Sequence, residues 1–333
     1  MIDFPLDSET VTIASLGERG LLDLIRPFCL PGVVGDDAAV MSAPEGQLVV
    51  TTDVLVDGVH FSDRTTPPHA VGWRAAAANL SDLAAMGAAP LGLTVGLSLP
   101  GTTAATWVRE LYRGLTGCCH PWSVGIAGGD VTRAHQRFVA ITAWGEVPPD
   151  RAIWRSRAQP GDWLIATGPH GSSRAGLELL LNSEAIASIS SEDRDYLQRA
   201  HQYPQPRLDV VSHLPELWQM GGRICGMDTS DGLADAIAQV CEASGVGAIV
   251  ELDWISTHPA LKRTFPDKAL EWALYGGEDF ELMVSLPEAA AKRAIALCPG
   301  TTRIGTVTAE RVTRLSDGRA IDRETAFQHF AAP

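Results

Sequence analysis

The chain has 333 residues, 45% hydrophobic and 20% charged, the balance of a globular protein with a full core and enough length for two domains. Its net charge of −14 excludes a basic nucleic-acid surface or a polybasic membrane patch, yet permits an anionic small substrate, because a bound divalent cation inverts the local sign. The six cysteines (Cys29, Cys118, Cys119, Cys225, Cys241, Cys298) form no Cys-x-x-Cys pair and read as reduced thiols of a cytoplasmic protein, with no signal peptide and no apolar run of the ~18 residues that a membrane span needs.

In chain order, residues 9–28 read as a helix on the spacing of Val11, Leu16, Leu21, Leu22, Leu24 and Ile25. Gly35-Asp36-Asp37-Ala38-Ala39-Val40 reads as a loop entering a short strand. Alone it would be a solvated turn. Close to a second acidic strand end, its carboxylates repel unless a cation holds them. That second end follows Gln47-Leu48-Val49-Val50, a β-branched apolar run. It finishes in Thr51-Thr52-Asp53, with Asp57 and His60 beyond. A strand built only for packing would not end that way.

Residues 69–86 read as a helix stopped by Gly87. Trp73, Ala77, Leu80 and Ala84 form its core stripe, while Asn79 and Asp82, three apart, share another face. A carboxylate in so alanine-rich a helix needs a partner, either Arg74 or a metal ion. Residues 91–99 read as a strand and the following helix runs to about 116, with Tyr112 beside its apolar stripe. A short strand, 124–127, ends at Gly128-Gly129-Asp130. That reads as a turn whose N–H groups can approach a phosphate. Residues 138–147 form a strand. Pro148-Pro149-Asp150 closes the first domain, giving boundaries of 1–149 and 150–333.

The second half opens with Arg155, then a strand at 163–167, a helix after Gly168, and a surface helix with linker over 185–205. Ile224-Cys225-Gly226-Met227 is a short strand, Asp228-Thr229-Ser230-Asp231-Gly232 a turn, and 233–241 a helix. Asp231 is placed to cap that helix, which accounts for one of the two acids. A strand at 247–252, the acid-rich Gly276-Gly277-Glu278-Asp279-Phe280-Glu281 turn, a strand at 303–307 and a polar tail complete the chain. The recurrent theme is a carboxylate at the end of an apolar element: Asp53, Asp82, Asp130 and Asp228 to Asp231 are expected to converge on one metal–phosphate site. There is no phosphate-loop lysine motif, no Rossmann glycine fingerprint, no His-Glu-x-x-His and no nucleophile elbow.

Six segments carry a resemblance, and they occur in one order. They are Gly35-Asp36-Asp37-Ala38, Thr51-Thr52-Asp53 with His60, Asn79-Leu80-Ser81-Asp82, Gly128-Gly129-Asp130, Asp228-Thr229-Ser230-Asp231-Gly232 and Gly276-Gly277-Glu278-Asp279-Phe280. In this the chain resembles the thiamine-monophosphate kinases, of the superfamily of aminoimidazole ribonucleotide synthetase. The resemblance implies an ATP-dependent kinase that makes thiamine diphosphate from thiamine monophosphate. It implies two α+β domains, the first forming a shared barrel in a homodimer. Asp37, Thr51, Thr52, Asp53, Asp82, Asp130, Asp228 and Asp231 resemble the ligands of several Mg²⁺ ions. Tyr112, Gly129, Asp130, Arg155 and Ser230 match ATP contacts, and His60, Glu278 and Phe327 match contacts to the thiamine phosphate. Asp57 matches no ligand position and reads as a turn residue.

The tail departs from the family pattern at Glu324-Thr325-Ala326-Phe327-Gln328-His329-Phe330, where Glu stands in the Trp position. Phe327 keeps an aromatic face for a thiamine ring. Cys29-Leu30-Pro31-Gly32 lacks the context of a selenophosphate synthetase cysteine, and the Ala331-Ala332-Pro333 ending lacks the modified cysteine of the hydrogenase-maturation relative. The alternatives are another ATP-using member of the superfamily, similar to aminoimidazole ribonucleotide synthetase, and a non-catalytic nucleotide-binding dimer.

Overall fold

The computed structural model describes residues 11–182, 189–221 and 223–321. Two compact units divide the chain: the first takes the residues up to Leu83 and Ala89–Glu146, the second Ala84–Ala88 and the chain from Val147.

The first unit opens with α1 (Ile13–Ile25), whose start is fixed by a capping box between Thr12 and Ser15. A long loop leads to β1 (Gln47–Val56). Then come α2 (Pro68–Ala85), β2 (Ala89–Leu99), α3 (Ala105–Cys119), β3 (Ile126–Arg133) and β4 (Phe138–Val147). The strands form one sheet in the order β1-β4-β2-β3, with β2 antiparallel to β4 and parallel to β3. Leu93, Val95 and Leu97 of β2 and Val139, Ile141 and Ala143 of β4 bury one face of it, the alternation a half-buried strand requires. Helices α2 and α3 are amply buried, through Leu80, Leu83, Val108, Leu111 and Leu115.

The second unit begins with β5 (Trp163–Ala166), α4 (Ser172–Leu181), α5 (Ser191–Gln202), α6 (Leu208–Val211) and α7 (Leu214–Gly221). Next are β6 (Cys225–Asp228), α8 (Leu233–Ser244), β7 (Gly247–Val250), α9 (Pro259–Thr264) and α10 (Ala269–Tyr275). It ends with β8 (Leu282–Leu286), α11 (Glu288–Leu297), β9 (Thr302–Thr308) and β10 (Thr313–Leu315). Its six-stranded sheet runs β10-β7-β9-β5-β8-β6, antiparallel except between β10 and β7. Ile237 and Val240 of α8 pack on Leu164, Met283, Val250 and Ile304 of that sheet. A second cluster holds α4, α5 and α9 together through Leu179, Leu197 and Leu261.

Several expectations are corrected. No strand forms at Ala38-Ala39-Val40: the segment is irregular, and Val40 is 92% exposed, because so short an apolar run finds no ladder to join. Gly128-Gly129-Asp130 is no turn but lies inside β3, where Gly129 opposes Val95 and Asp130 opposes Gly96. Thr51-Thr52-Asp53 lies in the middle of β1, not at its end. The surface helix expected within 185–205 is α5, which buries Leu197 and His201 on one face and exposes Glu192, Asp195 and Arg199 on the other. Asp231 does not cap α8; Gly232 occupies that position without a side-chain bond.

Candidate active site

The mid-strand position of Thr51-Thr52-Asp53 splits that motif between two faces. Side chains alternate along a strand, and β1 is exposed at Leu48, Val50, Thr52 and Val54 but half-buried at Val49, Thr51 and Asp53. Thr51 and Asp53 therefore share the inner face. There the Thr51 hydroxyl donates to Asp82 Oδ2 at 2.5 Å, and the Asp53 N–H donates to Asn79 Oδ1 at 3.3 Å. Asn79 is fully buried, and its amide is oriented by a second bond from Nδ2 to the Ala75 carbonyl at 3.0 Å. The (i, i+3) pair on α2 thus meets the (i, i+2) pair on β1. Thr52 faces the other way and shares a hydrogen bond with the Thr142 hydroxyl at 2.9 Å.

A second group surrounds a cavity of about 1110 Å³ in the same unit. Asp37, Tyr112, Gly129 and Asp130 line it, four of the residues singled out in the sequence. Leu22 and Ile25 of α1, Cys29 and Met41 supply apolar wall, and Leu48, Val50 and Trp144 on the outer face of the sheet supply more. The space is ample for a nucleotide-sized ligand, with an apolar lining and a few polar groups at one side. Tyr112 is 2% exposed and packs on Phe28 with ring centroids 5.8 Å apart; burial pushes its phenol well above the ordinary tyrosine range. Gly129 is required by close approach: a Cβ there would lie 2.1 Å from the Val95 carbonyl oxygen. Asp130 is exposed.

His60 follows β1, and its Nδ1 accepts the Val56 N–H at 3.0 Å. That bond places the neutral ring's proton on Nε2. Asp57 is more than a turn residue. Its carboxylate accepts from Arg137 Nε at 2.7 Å, and Arg137 also grips both oxygens of Asp63, a structural clamp.

In the second unit, Asp228 at the end of β6 is buried and accepts from Ser230 Oγ at 3.0 Å. Asp231 is exposed. The Ser230 carbonyl accepts the Glu278 N–H at 2.7 Å, joining the two acidic turns. Arg155 is exposed and donates to Gln239 Oε1 of α8 at 2.7 Å. Phe327 and the tail motif around it lie outside the described residues.

The donor set is carboxylate, hydroxyl and carbonyl oxygen throughout, the chemistry a hard divalent cation prefers. Among the described residues, no three His, Cys, Asp or Glu side chains stand together as a ready-made cage.

Several residues of the second unit have partners that the motifs do not specify. Glu281 accepts from Thr167 Oγ1 at 2.5 Å and from Arg207 Nη1 at 2.7 Å. Burial raises its carboxyl above the ordinary glutamate value, against the pull of Arg207. Asp279 bonds the N–H groups of Gly171 and Ser173 at the start of α4, and burial pushes its carboxyl up to about 7. His201 stands 3.8 Å from Glu278. The only sequence signal for these was the run of acids after Gly276-Gly277, which asks for cations and N–H groups elsewhere in the chain.

The chain matches the family model of the AIR synthase related protein, N-terminal domain, over residues 35–147, and that of its C-terminal domain over 159–318. The thiamine-monophosphate kinase of Synechococcus elongatus is 47% identical over 96% of this chain and 98% of its own length. The crystal structure of thiamine-monophosphate kinase from Stenotrophomonas maltophilia superposes with a TM-score of 0.79 at 32% identity, covering 90% of this chain and 96% of that one. AaThiL complexed with AMPPCP and TMP gives a TM-score of 0.76 at 31% identity, over 97% of this chain and 100% of that one.

Proposed function

Because this chain belongs to the thiamine-monophosphate kinases of the AIR synthase related family, we propose that it transfers the γ-phosphoryl group of ATP in line to the phosphate of thiamine monophosphate. The products are thiamine diphosphate and ADP. The observation that carries this reading is the cavity walled by Asp37, Tyr112, Gly129 and Asp130, residues from three separate stretches of the sequence. A related structure holding AMPPCP and TMP supports the substrate pair.

The chemistry asks little of a general base. The accepting phosphate oxygen is already ionised at neutral pH, so catalysis is alignment and charge neutralisation. Several magnesium ions, when bound, would supply positive charge against the repulsion between the two phosphorylated reactants. Asp37, Asp53, Asp82, Asp130, Asp228 and Asp231 are the carboxylates proposed to hold them, with the Thr51 hydroxyl beside Asp82. Thr52 is proposed with them from the other face of β1, the one whose Leu48 and Val50 wall the cavity that Asp130 also lines. Tyr112, Gly129, Asp130, Arg155 and Ser230 are the groups proposed to bind ATP. His60, with its proton on Nε2, would donate to the substrate phosphate, and Glu278 and Phe327 would contact the thiamine. The first 149 residues would carry dimerisation together with the metal and ATP groups.

The reading includes a homodimer in the cytoplasm, its first domains closing a shared barrel. In support, β1 is an edge strand, whose unpaired N–H and C=O groups are what a second sheet would complete. Among the described residues, no helix is long and apolar enough to cross a membrane.

The test is a steady-state assay with ATP, Mg²⁺ and thiamine monophosphate that follows thiamine diphosphate directly. Formation of thiamine diphosphate with one ADP per turnover is the expected result. Nucleotide binding without diphosphate product would overturn the reading.

A further inference from the structure

The turn between α10 and β8 is held in an unfavourable shape. Glu278 and Phe280 both lie at positive φ, 66° and 52°, a conformation that residues with side chains keep only where the surroundings impose it. The surroundings here are specific. Asp279, between the two, spans the first turn of α4, taking the Gly171 N–H at 2.6 Å and the Ser173 N–H at 2.9 Å. The Glu278 N–H is tied to the Ser230 carbonyl at 2.7 Å. Gly277 lets the chain approach there, since a Cβ would sit 2.3 Å from that same oxygen. The backbone of Glu278 is therefore fixed from both sides.

Its side chain has a separate neighbour. His201 of α5 is 2% exposed. Its Nδ1 lies 3.2 Å from Ser173 Oγ and 3.8 Å from Glu278 Oε2. A polar ring buried this deeply is held by what it bonds, and Ser173 belongs to the same helix start that Asp279 clamps. One hydrogen-bonded chain thus runs from Asp279 through Ser173 to His201, which stands over the Glu278 carboxylate.

We infer that His201 is a positioning residue that sets the direction of the Glu278 carboxylate and so the affinity for the thiamine moiety, without touching substrate itself. This rests on the assignment of Glu278 to substrate made above. The positively charged thiazolium of thiamine is the chemistry a carboxylate would read, so the effect falls on one substrate and not on ATP.

The test is a split of Michaelis constants. His201→Phe should raise KM for thiamine monophosphate about 10-fold, equivalent to about 1.4 kcal/mol, with kcat and the KM for ATP within about twofold. His201→Asn, whose amide nitrogen overlies Nδ1, should restore most of the loss. Ser173→Ala should raise the same KM by a smaller factor, and serves if the Phe variant does not fold. In the His201→Phe/Glu278→Gln double variant, KM should be no higher than in Glu278→Gln alone. Equal shifts in both KM values, or additive effects in the double variant, would overturn the positioning role. If Glu278→Gln raises KM but neither His201→Phe nor Ser173→Ala does, only the inference about His201 fails. If Glu278→Gln itself leaves KM unchanged, the substrate assignment fails and the inference with it.

Discussion

Thr51 of β1 donates its hydroxyl to Asp82 of α2 at 2.5 Å, while Thr52, its neighbour in sequence, turns to the opposite face and meets Thr142. The two threonines would therefore serve the proposed ion set from opposite faces. Thr51→Val and Asp82→Asn should each lower kcat by about 100-fold, the scale at which lost electrostatic stabilisation registers. Thr52→Val should lower kcat as well, whereas Thr142→Val, which removes only its hydrogen-bond partner, should change kcat/KM by less than about threefold. Steady-state kinetics on the purified variants decide it; an unchanged kcat in Thr52→Val would take Thr52 out of the ligand set.

Asp130 and Gly129 are adjacent on β3 but do different work. Asp130 is exposed, so Asp130→Ala should alter stability by no more than about 0.5 kcal/mol while activity collapses. Gly129→Ala pushes a methyl into the Val95 carbonyl, 2.1 Å away; it should lower the melting temperature as well as activity. Thermal melts paired with activity assays separate the two. A parallel loss of folding and activity in Asp130→Ala would mark that residue as structural.

Arg207 and Glu281 form an ion pair whose side chains are only 11% and 14% exposed. Removing one partner strands the other charge. Arg207→Ala should destabilise by about 3–5 kcal/mol, and the Arg207→Met/Glu281→Gln double variant by less, since neither charge is then left alone. Urea unfolding followed by tryptophan fluorescence would show the order; a double variant weaker than Arg207→Ala would contradict it.

Stability against pH should carry two opposing contributions in one window. Burial raises Asp279 from 3.8 to about 7, so between those values the folded state holds a proton the unfolded chain has lost. Its contribution is full below 3.8 and disappears as pH rises through about 7. Burial lowers His170 from 6.5 to about 4. Its contribution is full above 6.5 and disappears as pH falls through about 4. Asp279→Asn removes the first and leaves the second, so its melting temperature should climb from pH 4 to 6.5 more steeply than that of the wild type. Glu278 and Glu281, which push Asp279 up further, remain in both proteins. Matching profiles for the two would refute the assignment.

Local signals were the legible ones. The alternation in Phe138–Val147 marks β4 to the residue, and the apolar stripe of Trp107, Val108, Leu111 and Leu115 is the buried face of α3. Gly128-Gly129-Asp130 misled because glycine favours turns locally, whereas pairing with β2, set by distant residues, draws it into a ladder. The ends of β1 were obscured for a related reason. Hydroxyls and a carboxylate suggest a strand end, yet Leu55 resumes the buried face beyond them. His201 and Arg207 carry no motif of their own. They matter through acids far along the chain, and such pairings exist only once the fold has formed.

The six thiols are free and five of them buried, while Cys29 is half-buried on the wall of the large cavity. The protein thereby contains a native footprinting reporter. Alkylation should be slow, since burial raises the Cys29 thiol and the thiolate is the reacting form. A bound nucleotide that fills the cavity would slow it further, so the mass added at Cys29 over time reads occupancy without any label being engineered.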